Sequence, residues 1–409
     1  MTRNIEIFLT VLRSAVCGET LSNVPDLSTE QWEDVFRLAL EHELLPLVFD
    51  TVYGLTSVKK LEREKYKDYR EKSLQLAVRQ IIQTNEFLTL LLHAQEKGLD
   101  PVVIKGVVCR SLYPKPMLRP SVDEDILVPA SQVKAFHDFF LQEGLFSDDP
   151  DADLNTATEL SYHKENSPTY IEMHTEPFPS DSDAYGDLNA LFDGALDRTV
   201  RVQIEDVSVR TLAPTDHLLY MLCHAYKHFL HGGIGIRQVC DIGMITKRYK
   251  TEIDWPDVFS KCKEIRIDRF AAAIFKIGEK YLGFSSPDIF ASVNTDEQHL
   301  LDDILSGGNF GLSDVDRIHS STITLEAVGS QRKGKKSRGF FSAAFPKRKS
   351  LEGRYPYLRE KPWLLPVAWG QRITGYLLNR KAGIKGNPCR SLKIGRERTD
   401  LLKEYGIID

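Results

Sequence analysis

The hydrophobic period of the chain changes at Pro101, and this change limits the fold more than any other feature of the sequence. Up to Gly98 apolar residues recur at helical spacing, and Ser28 and Gln31 form a capping-box pattern ahead of one of the helices. Residues 101–104 are instead a short apolar run that suits a buried strand. A chain that joins these two periods is predicted to adopt an α+β fold.

The pattern along the chain divides it into four predicted segments. Further strands are expected at residues 125–128, 169–174 and 201–212, with a helix at 130–143. Helical patterns return after Pro214 and continue at residues 218–229, 239–247, 255–262 and 269–281. The predicted segments are a helical region at 1–98, an α/β core at 99–212, a helical domain at 213–310, and a basic loop with a C-terminal extension that packs back on the body at 311–409.

Composition limits the cellular environments in which the protein is expected to work. The chain has 409 residues and a net charge of −5, so bulk charge does not attract it to DNA or to a membrane. Its apolar stretches fall short of the roughly 20 residues that a transmembrane helix needs, and its first residues lack a secretion pattern. Its six cysteines form no C-x-x-C pair, which indicates reduced thiols. We therefore expect a cytoplasmic protein without membrane contact.

Two aspartates share one side of the strand predicted around residue 125. Side chains alternate along a strand, so Asp123 and Asp125 project to one face and Glu124 projects to the other. Like charges this close repel each other, and a divalent cation such as Mg²⁺ between them makes the arrangement favourable. The alternative is an exposed acidic strand end, but the apolar residues 126–128 indicate that the strand is buried just beyond the acids. Glu124 then needs either solvent or a basic partner.

A third carboxylate and a cation are available nearby in the predicted core. Glu172 and His174 face the same way on a separate strand, and Glu172 would complete a two-metal site with the two aspartates. A half-exposed strand with its polar residues outward is the alternative. Upstream, Lys105 and Gly106 stand between a strand and a helix, where backbone N–H groups and the helix dipole can hold a phosphate.

These segments resemble the nucleotidyltransferase superfamily of the DNA polymerase β type, and in particular a bacterial branch of uncharacterised nucleotidyltransferase-like proteins. That branch carries a Lys-Gly, a Tyr-Pro, an Arg-Pro and an Asp-x-Asp strand in this order. The matching positions are Lys105-Gly106, Tyr113-Pro114, Arg119-Pro120, residues 123–128 and, further on, Glu172 with His174. The likeness extends more loosely to the helical region around His224, His228 and Asp241.

The resemblance implies a small mixed β-sheet with helices, and the transfer of a nucleoside monophosphate from a nucleoside triphosphate, such as ATP, to an acceptor. Asp123 and Asp125 would hold two Mg²⁺ ions, or Mn²⁺ in their place. Glu172 would ligate the second ion and could take the proton of the acceptor. The acceptor would be a small molecule, a protein or an RNA, whereas DNA and membranes are not expected.

The resemblance also assigns the nucleotide-binding residues. Lys105, Gly106 and Arg119 would neutralise and position the phosphates, and His174 would contribute to the same site. The superfamily usually has Gly-Ser at the Lys105-Gly106 position and an apolar residue at the position of Glu124. These departures keep a second interpretation open, in which the same fold is a catalytically inactive nucleotide-binding or protein-interaction module.

Two further motifs each allow more than one interpretation. His224 and His228 are four residues apart on a predicted helix and share a face. They could be structural histidines, part of a nucleotide or acceptor pocket, or a separate metal site. Residues 332–349 contain eight Lys or Arg and no acid. This basic stretch could be a solvated flexible loop or an arm that touches the phosphates of a nucleotide or RNA.

Overall fold

The structure is a computed structural model that describes residues 2–21, 27–309, 315–334, 345, 348–352, 355–371, 374 and 388–409. Within this part of the chain a small mixed sheet is surrounded by helices, which confirms the predicted α+β class. Most of the basic stretch, at 335–344 and 346–347, lies outside the described residues.

The described N-terminal region is helical, as its spacing predicts. Its helices are α1 (Arg3–Cys17), α2 (Thr29–Glu41), α3 (Leu45–Val52), α4 (Thr56–Lys59) and α5 (Arg63–Glu96). The predicted capping box is present at the start of α2, where Ser28 accepts a hydrogen bond from the Gln31 backbone N–H and the Gln31 side chain accepts one from the Ser28 N–H. Helix α5 leads directly into the sheet.

The main sheet has five strands in the order β1-β2-β5-β4-β3. Its strands are β1 (Val102–Val103), β2 (Glu124–Leu127), β3 (Leu145–Ser147), β4 (Glu159–Lys164) and β5 (Tyr170–His174). The pairing of β2 with β5 is parallel, and the other neighbours are antiparallel. A separate hairpin, β6 (Thr199–Ile204) and β7 (Val207–Leu212), lies against β1, where the Thr211 hydroxyl donates to the Val103 carbonyl over 2.7 Å.

Helices connect and cover these strands. Between the strands lie α6 (Val107–Ser111), α7 (Val133–Gln142) and short 3-10 helices at Pro116–Leu118, Ala130–Gln132 and Gly186–Phe192. The later helices are α8 (Pro214–His231), α9 (Ile236–Tyr249), α10 (Trp255–Glu264), α11 (Asp268–Leu282), α12 (Asp288–Ala291), α13 (Gln298–Gly307), α14 (Val315–Arg332), α15 (Tyr357–Glu360) and α16 (Pro388–Glu404). Further 3-10 helices lie at Arg348–Leu351 and Pro362–Leu364.

The two faces of the sheet belong to different hydrophobic cores. Ile126 and Val128 pack with the C-terminal half of α5 and with Phe136 of α7. Leu127 faces the other way and joins a larger core that includes the N-terminal helices and α8 to α11. Residues 123 and 125 share the side of Leu127, so the strand directs them toward the helical part of the molecule.

The described residues include no candidate membrane span and contain free cysteines. None of the helices that the structure describes has both the length and the apolar character that a membrane span requires. Cys17, Cys109, Cys223, Cys240 and Cys262 are free thiols, and the side chain of Cys389 lies outside the described residues.

Candidate functional site

The parallel pairing of β2 with β5 brings three polar side chains to one face of the sheet. Its register sets Asp125 beside Glu172 and Leu127 beside His174. Because alternate residues of a strand project to the same face, Asp125, Glu172 and His174 all point toward α8. Asp125 and His174 are buried, and Glu172 is half-buried.

These three side chains form a compact group of possible metal ligands, which we call the carboxylate–histidine cluster. One ligand atom from each lies within 4.8 Å of the others, and the described residues contain no second group of this kind. The His174 Nε2 atom is 3.5 Å from Asp125 Oδ1 and 3.8 Å from Glu172 Oε2. This nitrogen is buried and has no hydrogen-bond partner.

Lys105 lies beside the cluster, immediately after β1. Its Nζ donates a hydrogen bond to Asp125 Oδ2 over 2.9 Å, and both side chains are largely buried. Burial would lower the pKa of Lys105, but the carboxylates of Asp125 and Asp123 raise it above its ordinary value. Burial would likewise raise the pKa of Asp125, but Lys105 and His174 hold it below its ordinary range. The pair is therefore ionised at neutral pH.

Glu172 is the carboxyl of the cluster that holds its proton most strongly. Burial and the negative charges of Asp125 and Asp123 raise the pKa of Glu172 to about 7. Two carboxylates that share a site disfavour each other's charge, and a bound cation removes this conflict. The electrostatics of the cluster therefore favour the uptake of a proton or a metal ion.

Asp123 stands just before β2 and outside this close group. It is half-buried, and its charge reaches both Lys105 and Glu172. The sequence predicts Asp123, Asp125 and Glu172 as the metal ligands and assigns His174 to the nucleotide. The structure brings His174 into the cluster instead, so the ligand role of Asp123 stays a prediction.

Glu124 projects to the opposite face, where the sequence requires solvent or a basic partner. The structure supplies the partner, because the buried Arg110 guanidinium of α6 forms an ion pair with the Glu124 carboxylate. Gln83 of α5 donates a second hydrogen bond to this carboxylate over 3.2 Å. Ion pairs of this kind are tolerated in a core only when such bonds satisfy their charges.

The Glu124 carboxylate also explains why a glycine follows Lys105. Glu124 Oε2 accepts a hydrogen bond of 2.7 Å from the backbone N–H of Val107, the first residue of α6. Gly106 has a φ of +61°, and a Cβ atom there would lie only 2.0 Å from Glu124 Oε2. A backbone N–H group in the segment that is predicted to hold a phosphate therefore donates to Glu124. The phosphate-binding role of Gly106 stays a prediction.

Arg119 lies in a buried ion pair with Asp241 of α9. Its Nε and Nη2 atoms donate to the two Asp241 oxygens over 3.1 and 2.6 Å, and the Tyr113 hydroxyl donates to Oδ1 over 2.7 Å. Three residues that carry the family resemblance therefore contact one another, and they connect the sheet region to α9. Arg119 Nη1 is buried without a hydrogen bond, and its predicted contact with phosphate is not tested by this arrangement.

Helix α8 covers the cluster with a row of basic side chains that the sequence only partly identifies. His224 and His228 share a face as predicted, with their Nε2 atoms 3.2 Å apart. Burial, reinforced by the positive charge of Lys105, lowers the pKa of both histidines well below the ordinary value. Lys227 lies on the same turn, and its ammonium interacts electrostatically with Glu159, Asp125 and Glu172.

Lys227 is the site residue that sequence reasoning missed. Its spacing of three residues from His224 is the available signal, because residues three and four apart share a helix face. Among the described residues, His224 and His228 join no third ligand within metal-binding distance.

Comparison with known protein families gives a match over most of the chain. Residues 28–283, more than half of the chain, match the profile of a family described as an uncharacterised nucleotidyltransferase. No curated protein and no solved structure matches the chain. The matched range contains the whole carboxylate–histidine cluster, Lys105 and α8.

Proposed function

Since the chain belongs to the uncharacterised nucleotidyltransferase family, a family of transferases of phosphorus-containing groups, we propose that it moves a nucleoside monophosphate from a nucleoside triphosphate to an acceptor. The observation that carries the proposal is the carboxylate–histidine cluster with Lys105 at its edge. Phosphoryl-type transfer requires mainly the positioning of phosphates and the neutralisation of their charge, and this site offers groups for both.

The donor atoms of the cluster fit a divalent metal ion. Two carboxylates suit Mg²⁺ or Mn²⁺, and the imidazole favours Mn²⁺ over Mg²⁺. The unpartnered, buried Nε2 of His174 is the kind of atom that a metal ion satisfies. When bound, such an ion would neutralise phosphate charge and lower the pKa of a coordinated hydroxyl. The two-ion arrangement that the resemblance implies would need Asp123 as an additional ligand.

We assign phosphate neutralisation and proton transfer to residues of the chain. Lys105 and Lys227 would neutralise the triphosphate from two sides, and Asp125 holds Lys105 in place through their hydrogen bond. Glu172 would take the acceptor's proton while the acceptor oxygen bonds to the α-phosphorus. The bond from that phosphorus to the bridging oxygen then breaks, and pyrophosphate leaves with the electron pair.

Thermal melting of the protein with each of the four ribonucleoside triphosphates, with and without Mg²⁺ or Mn²⁺, tests this proposal. A ligand at 100 times its dissociation constant stabilises the folded state by about 2.7 kcal/mol, which moves the melting curve clearly. We expect a metal-dependent shift with at least one triphosphate, and we expect Glu172→Gln and Asp125→Asn to abolish it.

Controls separate loss of binding from loss of folding. Glu172→Gln retains the Lys105–Asp125 pair, so it should melt close to the wild-type temperature without ligand. Asp206→Asn, in the exposed turn of the β6–β7 hairpin, should keep the full shift. A shift without any pyrophosphate release over an acceptor screen would favour the inactive nucleotide-binding module. The absence of a shift with every triphosphate and metal would contradict the proposal.

A further inference from the structure

A cavity of about 520 Å³ lies next to the carboxylate–histidine cluster, on the same face of the sheet. Its floor includes Leu127, which pairs with His174 in the β2–β5 register, and Thr175, which follows His174. Ile104, the neighbour of Lys105, forms another part of the wall. The cavity is therefore adjacent to the carboxylate–histidine cluster.

Tyr220 of α8 stands between the cluster and the cavity. Its side chain lines the cavity and is only 2 % exposed, and the residues that the structure describes offer no hydrogen bond to its hydroxyl. Phe178, Phe192 and His224 pack around its ring. Burial raises the pKa of Tyr220 well above its ordinary value, and the nearby charge of Asp125 adds to this effect. A hydroxyl in the wall of a cavity, among aromatic side chains, is a place where a polar group of a ligand can bind.

The charged groups of the cavity wall are mainly acidic. Glu176, Asp193 and Asp197 contribute carboxylates, and Arg210 contributes the one cation of the described lining. The Arg210 guanidinium is bonded to the backbone carbonyls of Leu196 and Asp100 and to the Thr199 hydroxyl. The guanidinium is therefore held in place by the protein itself, and the three carboxylates outnumber it, so the described wall carries a net negative charge.

We propose that this cavity is the acceptor subsite and that it takes a molecule with a positively charged amine and an apolar or aromatic body. The inference rests on the proposed function, because it assigns the second substrate of the same site. Three carboxylates repel a triphosphate and attract an ammonium group, which separates the acceptor from the donor. Phe192 and Tyr220 suit a flat apolar body, and the Tyr220 hydroxyl offers it a hydrogen bond.

Three small probes that share one ring and differ in charge test the proposal. Benzylamine, benzyl alcohol and benzoate are titrated against the full-length protein by ligand-observed NMR at pH 7.5. We expect benzylamine to bind about tenfold more tightly than benzoate, because each carboxylate of the wall attracts one probe and repels the other. The triple variant Glu176→Gln, Asp193→Asn, Asp197→Asn should reduce this preference to about onefold.

Further variants exclude a general surface effect. Asp206→Asn removes an exposed carboxylate far along the hairpin and should leave the preference unchanged, whereas Tyr220→Phe should weaken benzylamine binding about threefold. Equal binding of the three probes, or a preference that survives in the triple variant, would overturn the acceptor assignment. Nucleotide-induced melting shifts are measured on the same samples. Their absence beside an intact amine preference would overturn the proposed function and leave a cation-binding cavity.

Discussion

At the scale of single residues, the candidate site depends on the contact between Glu124 and Gly106. The Glu124 carboxylate is fully buried and binds both the Arg110 guanidinium and the Val107 N–H. It thereby fixes the start of α6 directly after Lys105. A residue on the far face of the sheet thus controls where the ammonium of the site is placed.

Replacing Glu124 should destabilise the protein strongly. Glu124→Gln leaves the buried Arg110 charge without its counter-ion, and we expect the free energy of unfolding to fall by about 3 kcal/mol. Chemical denaturation measures this loss. Glu71→Gln is a suitable control, because Glu71 is exposed and its pair with Lys67 is long at 4.0 Å, so a change below about 0.5 kcal/mol is expected there. A comparable small loss for Glu124→Gln would contradict the role of the ion pair.

Gly106 and Gly98 form a matched pair for a second prediction. Both have positive φ, at +61° and +76°, but a Cβ would meet Glu124 only at Gly106 and would find open space at Gly98. Gly98→Ala should cost about 1 kcal/mol through its backbone conformation alone. Gly106→Ala should cost about 1–3 kcal/mol more because of the clash. Denaturation of the two variants compares them, and equal losses would show that the close contact is absent.

The sequence predicts some contacts of the site and not others, depending on whether the contact is set by local strand alternation or by the tertiary fold. Alternation along a strand correctly puts Glu124 on the face opposite Asp125, and the need for a basic partner is met by Arg110. Arg110 itself could not be identified, because the contact depends on how α6 turns after Gly106. The place of His174 beside Asp125 and Glu172 depends on the register between two distant strands, which no local pattern records.

At the scale of elements, the helices and the strands with apolar runs follow the sequence pattern, whereas β3 and β4 do not. The predicted strands around residues 102, 126 and 172 and the predicted helices of the later chain are confirmed as β1, β2, β5 and α8 to α11. The sequence pattern does not predict β3 and β4, because both strands mix polar and apolar residues without a clear apolar run. The stability of β4 comes from pairing with β5, and that of β3 from pairing with β4, rather than from local propensity.

The length of helix α5 explains why only some of its regularly spaced apolar residues are buried. Leu88 and Leu91 are buried under the sheet, but Leu74, Val78 and Ile81, which recur with them at helical spacing, are exposed. A helix of 34 residues is about 50 Å long, which is more than a small sheet can cover. Periodicity therefore identifies the helix but not which of its turns are buried.

Helix α8 provides a prediction at this scale, because its Lys227 should act on the bound nucleotide. Lys227→Met should weaken triphosphate binding about tenfold, or 1.4 kcal/mol, since a charged phosphate contact is lost. Isothermal titration measures the change. Lys261→Met on α10, whose ammonium pairs with Asp257 over 2.8 Å, is the matched control and should bind normally. An unchanged affinity in Lys227→Met would remove α8 from the nucleotide site.

At the scale of the whole molecule, buried histidines link stability to pH. Burial lowers the pKa of both His42 and His217 from 6.5 to about 4. Between these values the unfolded chain binds more protons than the folded protein does, so the free energy of unfolding falls as the pH falls from 6.5 to 4. Each histidine contributes a slope of about 1.4 kcal/mol per pH unit in this window and none below it.

His42→Phe tests this linkage. The new ring can keep the stacking of His42 on Phe8, at a centroid distance of 5.9 Å, while the titrating group is removed. Urea denaturation between pH 4 and 7 should show a slope that is smaller than the wild-type slope by about 1.4 kcal/mol per pH unit. An unchanged slope would mean that His42 titrates normally in the folded protein.

The contact between Glu124 and Gly106 also restricts the order in which the family's sequences can change. A side chain at position 106 has no room while a glutamate occupies position 124. We therefore expect a serine at position 106 to require a smaller residue at position 124, and a neutral residue there removes the counter-ion of Arg110. Positions 106 and 124 are thus expected to be epistatic, and homologues should keep or lose glycine and glutamate together.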